Sequence, residues 1–210
     1  MDKIYRPQKY IYDVTRKYYL FGRDTLLDSM PVRSGERILE AGCGTGRNIV
    51  KLASAHPNAK FYGFDASEEM LSMARAQSAR RGLGDRVTLT RALAEEMDHQ
   101  KTFGLKEPFD RIFFSYSLSM IPPWREALDQ ALNNLKPGGV LYVVDFCDFG
   151  RWPGFFGGLM RFWLKSFHVE YRREHIEHLR RRAAAGDGRL KERYLGGRYS
   201  YIATFEKVTT

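Results

Sequence analysis

One stretch of the 210-residue sequence combines residue types and spacing that make a ligand site, Glu40-Ala41-Gly42-Cys43-Gly44-Thr45-Gly46. Glycine at every second position removes the Cβ atoms that would hold a ligand off. It also opens left-handed backbone angles, so the turn can lie against a ribose or a charged tail. A dinucleotide fingerprint would need glycine at position 47, where Arg47 stands, and a P-loop would need a glycine–lysine–serine/threonine ending, which is absent. Nineteen residues past Gly46 the apolar run Phe61-Tyr62-Gly63-Phe64 ends in Asp65. The next parallel strand of a βαβ unit places a carboxylate for ribose hydroxyls at that distance. Two acids therefore flank one glycine loop.

The elements that must hold these residues follow from periodicity. The first strand and loop span Ser34 to Gly46, and Arg47 to His56 reads as a helix stopped by Pro57. After the second strand, Ser67 is a helix N-cap with Glu68 and Glu69 in the first turn, and Gly82 and Gly84 end that helix. Val87–Thr90 is a third strand and Phe109–Phe114 a fourth, followed by the loop Ser115-Tyr116-Ser117-Leu118 that fold rules turn toward a ligand. Ile121-Pro122-Pro123-Trp124 reads as a proline-led helix start. Val140–Val144 is a fifth strand, Tyr171 to Ala185 a helix, and Leu190–Leu195 with Tyr199–Phe205 a closing hairpin around Gly196-Gly197. The alternation predicts an α/β fold with a mostly parallel seven-stranded sheet, helices on both faces and an antiparallel hairpin at its end.

With Glu40, the three glycines, Asp65 and the run Leu135-Lys136-Pro137-Gly138-Gly139 before the fifth strand, the sequence resembles the class I S-adenosylmethionine-dependent methyltransferases. The resemblance implies a Rossmann-like doubly wound sheet and a reaction leaving S-adenosylhomocysteine. It places the first acid near the methionine part of the cofactor and the second on the ribose. The cofactor residues it implies are Glu40, Gly42, Gly44, Gly46, Asp65, Ala66, Leu93, Ala94 and Ser115. In that family the loop after the third strand often carries an acid for the adenine amine. Here Ala92-Leu93-Ala94 precedes Glu95, so backbone groups and an apolar wall are expected instead.

Composition bounds the rest. A chain of this length buries roughly 70% of the surface its unfolded form exposes, enough for one domain without staples. Three parts are expected within it: an N-terminal helical lid over 1–33, a cofactor-binding core over 34–150, and basic aromatic helices with the hairpin over 151–210. Cys43 and Cys147 show no metal-ligand or disulfide-framework spacing, so no metal is expected. No apolar run approaches the roughly eighteen residues of a membrane span, and the charged N-terminal stretch does not read as a signal peptide. The formal charge of +9 divides as +3 over 1–37, −1 over 38–150 and +7 over 151–210, which puts the excess on the flanks.

Those flanks bear on the substrate. Tyr5, Tyr10, Tyr12, Tyr18 and Tyr19 lie on a segment with helical spacing, and tyrosine faces attract cations such as a sulfonium or a methylated amine. Phe146, Phe149, Trp152, Phe155 and Phe156, then an aromatic helix over 159–165, set bulky rings beside arginines, a composition that suits a membrane interface or core closure. The segment Lys9 to Asp24, joined to Gly44-Thr45-Gly46-Arg47-Asn48, resembles the bacterial N-methyltransferases of betaine-lipid synthesis. That resemblance implies three successive methylations of diacylglyceryl-homoserine to diacylglyceryl-trimethylhomoserine, by an enzyme in the cytoplasm, peripheral at the inner face of an anionic membrane. Its amine must lose a proton before it attacks, and Tyr19, Tyr116 and His168 are the candidate catalytic groups. Phosphatidylethanolamine N-methylation and quinone C-methylation are the alternatives. Exocyclic nucleobase methylation is disfavoured, because an Asp/Asn-Pro-Pro-Tyr motif is missing from the loop after the fourth strand, and no nucleic-acid partner is expected. A non-catalytic binding module would need a damaged cradle, and the cradle residues are intact. Oligomeric state is not legible.

Overall fold

A computed structural model describes residues 20–150 and 172–208. In chain order they form α1 (Arg23–Ser29), β1 (Arg37–Ala41), α2 (Arg47–Ala55), β2 (Lys60–Asp65), α3 (Glu68–Arg80), β3 (Val87–Arg91), α4 (His99–Phe103), β4 (Phe109–Ser115), α5 (Trp124–Asn133), β5 (Leu135–Phe146), α6 (Glu174–Ala184), β6 (Gly188–Leu195) and β7 (Ser200–Lys207). The seven strands make one sheet in the order β3-β2-β1-β4-β5-β7-β6. β1 through β5 pair in parallel, while β7 runs antiparallel to both β5 and β6. The expected Rossmann-like sheet and closing hairpin are both present.

The inner strands are apolar because they are covered on both sides. One core layer joins Ile38, Phe113, Val144 and Ile202 to Leu26 and Leu27 of α1 and Ile49 and Leu52 of α2. The other joins Leu39, Ile112, Leu141 and Phe205 to Leu128 of α5 and Ile176 and Leu179 of α6. Consecutive connections leave β1 toward β2 on one side and return to β4 on the other, so the carboxyl ends of β1 and β4 meet at the switch point where doubly wound sheets bind ligands. At the opposite, amino end, Arg111 of β4 is clamped by Glu36, with Nε to Oε2 and Nη2 to Oε1 each 2.9 Å, while Nη1 donates to the Tyr142 hydroxyl at 3.0 Å.

Ser67 caps α3 as expected, its hydroxyl accepting from the Met70 amide at 3.4 Å. Replacing Ser67 with alanine should lower unfolding free energy by about 1 kcal/mol in a denaturant titration; no change would show that the cap contributes nothing. Two elements differ from expectation. α4 was not anticipated: it is only five residues long, too short for a periodic signal, and is set by Asp98, whose carboxylate accepts from the Gln100 and Lys101 amides. β5 begins at Leu135 rather than Val140, because Lys136-Pro137-Gly138-Gly139 stays in the strand as an irregularity opposite Phe109 and Arg111. A Cβ on Gly139 would lie 2.9 Å from the Lys136 carbonyl, which accounts for glycine there. Apart from its last residues, the tyrosine-rich segment lies outside the described residues, as do Trp152, Phe155, Phe156 and the helix expected over 159–165.

Candidate functional site

The glycine turn leaves β1 with three left-handed residues, Gly42, Gly44 and Gly46, at φ of 70°, 52° and 81°. A Cβ on Gly42 would sit 2.7 Å from the Ser117 Cβ, and one on Gly46 would sit 2.8 Å from the Ala74 Cβ. The first glycine thus lets β1 and the loop after β4 converge, and the last lets α2 start against α3. Asp65, at the end of β2, braces the turn: Oδ2 accepts from the Gly44 amide and Oδ1 from the Ser67 amide, both at 2.9 Å.

These ends enclose a cavity of ≈ 380 Å³. Of the residues the sequence points to, Glu40, Gly42, Gly44, Asp65, Ala66, Leu93, Ala94 and Ser115 line it. Gly46 stands behind them, where its lack of a side chain lets α2 pack on α3. Leu20, Arg23, Arg47 and Asn48 also line the cavity, as do Met120, Ile121, Pro122 and Pro123 on the run after β4. Pro123 therefore serves twice, since it is also the residue preceding α5. Leu93, which lines the cavity from the loop after β3, is 43% exposed.

Glu40 is 1% exposed, and its Oε1 accepts from the Asn48 side-chain amide at 2.7 Å. Among the described residues its Oε2 has no hydrogen-bond partner, nor has the Ser115 hydroxyl. Burial raises the Glu40 carboxyl to about 8, against the opposing pull of Asn48, the Arg23 charge and the Ile49 amide. Above the loop, Arg47 clasps both oxygens of Asp24 at 3.2 Å, and Lys51 reaches Asp24 at 3.0 Å and Asp28 at 2.7 Å, so α1 is tied to α2. Burial would push Asp24 upward, yet the bonds from Arg47 and Lys51 outweigh it and bring its carboxyl to about 2.

Tyr116 lines the cavity, 2% exposed, with its ring edge-on to Phe146 at 4.7 Å. Its hydroxyl donates to the Phe21 carbonyl, and burial raises the phenol well above its ordinary range. The Tyr116 hydroxyl is thus engaged as a donor to the chain itself, and its proton is held more tightly than in an exposed phenol. Tyr19 and His168 lie outside the described residues. The cavity-lining positions that sequence reasoning did not assign to the site are Arg23, Asn48 and Met120–Pro123. Asn48 carried a signal in its place two residues past Gly46, in the first turn of α2, where side chains tilt back toward the helix N-terminus and so toward β1.

Against this geometry stand the known proteins that the chain matches. A methyltransferase domain matches residues 32–185, from the approach to β1 to the end of α6. The chain is 30% identical over 123 residues to 27-O-demethylrifamycin SV methyltransferase of Amycolatopsis mediterranei, covering 59% of this chain and 43% of that protein. It is 29% identical over 136 residues to demethylmenaquinone methyltransferase of Geobacillus kaustophilus, covering 63% and 54%. The chain thus spans about half the length of these relatives. Its fold is shared with an O-methyltransferase family protein from Burkholderia thailandensis at a TM-score of 0.74 and 16% identity, over 99% of this chain and 63% of that one. With the match running through every strand from β1 to β5 and both flanking acids in place, the chain belongs to the methyltransferase domain family, in the S-adenosylmethionine-dependent class whose glycine loop it carries.

Proposed function

We propose that the chain methylates the amine of diacylglyceryl-homoserine three times, with S-adenosylmethionine as donor. The observation that carries the cofactor assignment is the buried Glu40, which lines a cavity shared with Asp65 one strand away and has, among the described residues, one oxygen without a hydrogen-bond partner. An orphaned carboxyl oxygen and an orphaned hydroxyl at Ser115 fit a ligand with an ammonium group and further polar atoms. Glu40, steadied by Asn48, is proposed to hold the ammonium of the methionyl end. Asp65 is proposed to take the ribose hydroxyls on the oxygen sites its two amide bonds leave open. Ala66, Leu93 and Ala94 would give adenine an apolar wall. When bound, S-adenosylmethionine supplies an electrophilic methyl group on a sulfonium sulfur. The protein aligns the incoming nucleophile with that methyl and excludes water from between them.

The lipid acceptor rests on the resemblance of Lys9 to Asp24 and is supported by the apolar wall of Met120, Ile121, Pro122 and Pro123 beside the loop after β4. A second reading, C-methylation of a quinone, is favoured by the demethylmenaquinone methyltransferase relatives and would use the same wall. Incubation with methyl-labelled cofactor and separate pools of diacylglyceryl-homoserine, phosphatidylethanolamine and demethylated quinone separates them by mass spectrometry. A mono-, di- and trimethyl series on diacylglyceryl-homoserine is expected; label on the quinone alone would replace the lipid reading.

We further propose that the protein is cytoplasmic and peripheral, at the inner face of an anionic membrane. Arg189, Lys191 and Arg193 are exposed and alternate along the edge strand β6, which directs them to one face of the sheet. Sedimentation with vesicles should rise with anionic lipid content and fall with salt, since exposed charges are screened over about 10 Å at 0.1 M. Equal binding to neutral vesicles would contradict this.

Glu40 also gives the site a proton signature. Its carboxyl, raised from 4.5 to about 8, holds its proton at pH 7. An ammonium beside it favours the carboxylate, so binding at pH 7 should release roughly one proton, and affinity should rise with pH until about 8. Calorimetric titrations with S-adenosylhomocysteine in phosphate and in Tris should differ in heat accordingly, and Glu40→Gln should abolish the difference. Equal heats from the unaltered protein would remove Glu40 from the ammonium.

A further inference from the structure

The Phe21 carbonyl accepts two hydroxyl protons, from Tyr116 and, at 2.7 Å, from Ser200. Both donors are buried, and they come from two strands on either side of β5: Tyr116 follows β4 and Ser200 begins β7. Tyr116 reaches the carbonyl from a left-handed backbone at φ 56°, a conformation that bulky residues seldom hold unless their surroundings impose it. Here its amide donates to the Val144 carbonyl at 2.8 Å and its ring is set against Phe146. Directly after Phe21 the chain turns through Gly22 at φ 96°, where a Cβ would meet Leu195 Cδ1 at 2.7 Å and the Ser200 hydroxyl at 3.1 Å. The next residue is Arg23, the first of α1, 6% exposed and lining the cavity close enough to Glu40 to pull down its carboxyl.

We propose that Tyr116 and Ser200 are positioning residues: their hydroxyls latch the Phe21 carbonyl and fix the Gly22 turn so that Arg23 enters the cavity beside Glu40. The inference rests on the cofactor reading above. A buried guanidinium next to a buried carboxyl that ionises on binding complements a zwitterion, with Arg23 facing the carboxylate and Glu40 the ammonium of an α-amino acid end. Tyr116 then acts on binding through the placement of Arg23 rather than on the methyl acceptor, and it needs only its hydroxyl hydrogen to do so.

The test measures S-adenosylhomocysteine affinity by calorimetry for Tyr116→Phe, Ser200→Ala, their combination, Arg23→Ala, and the combination in the Arg23→Ala background. Each single hydroxyl deletion should weaken binding by about two- to tenfold, the scale of one net hydrogen bond, and the combination by more. In the Arg23→Ala background, already weakened, removing both hydroxyls should change affinity by less than about twofold, because their effect passes through the missing side chain. If the combined variant fails to fold, each single change, which leaves the carbonyl one donor, is tested against Arg23→Ala in the same way. Wild-type affinity in the hydroxyl variants, or an equal loss with and without Arg23, overturns the latch. Absence of binding by the unaltered protein would instead overturn the cofactor reading on which the latch depends.

Discussion

Replacing Asp65 with alanine should weaken S-adenosylhomocysteine binding by 10- to 150-fold, on the order of the 1.5–3 kcal/mol carried by a hydrogen bond to a charged acceptor. Two losses combine in that number. The ribose hydroxyls lose their acceptor, and the glycine turn loses the bonds from the Gly44 and Ser67 amides that brace it toward the cavity. Asp65→Asn keeps one carbonyl oxygen but turns the other position into a donor that faces an amide, so an intermediate affinity is expected. Calorimetry on the folded variants checks both values. Unchanged affinity for the alanine variant would remove Asp65 from the ligand.

The opposite result, stability lost with binding retained, is expected from Glu36→Ala. The Arg111 side chain is 7% exposed and loses both of its carboxylate bonds, keeping only the Tyr142 hydroxyl. A buried charge stripped of its partner costs about 3–5 kcal/mol. For a chain of this size that corresponds to a fall in Tm on the order of 10 °C. Replacing Arg111 with methionine in the same variant should recover much of the loss, because the charge goes with its partner. Since Glu36 and Arg111 lie at the amino ends of β1 and β4 and the cavity lies at the carboxyl ends, affinity for S-adenosylhomocysteine should hold. A Tm shift of less than about 2 °C would show that water or a neighbour compensates the guanidinium.

What could be read in the sequence was whatever a short contiguous pattern carries. Glu40 and the glycines sit within seven residues and Asp65 at the distance one βαβ unit imposes, so the core of the cavity is legible in the sequence. The hairpin was legible because Gly196-Gly197 separates two alternating runs. Gly46 shows where this stops: three glycines of one motif look alike in sequence, and only the packing of Ala74 reveals that the third faces α3. Arg23 was hidden for a different reason. Its place in the cavity depends on Phe21 meeting Tyr116 and Ser200, partners 95 and 179 residues away, and no local spacing encodes contacts of that range. Pro122 and Pro123 were read for their helix-starting role, and their second surface toward the cavity emerged only from the path of the chain after β4.

The most direct measurement is a calorimetric titration of the unaltered protein with S-adenosylhomocysteine at pH 7, alongside the Asp65→Ala variant. The account predicts one site per chain, proton release on binding, and a clear loss in the variant. Absence of binding, or binding that Asp65→Ala leaves untouched, would contradict the placing of the cofactor in the cavity between Glu40 and Asp65.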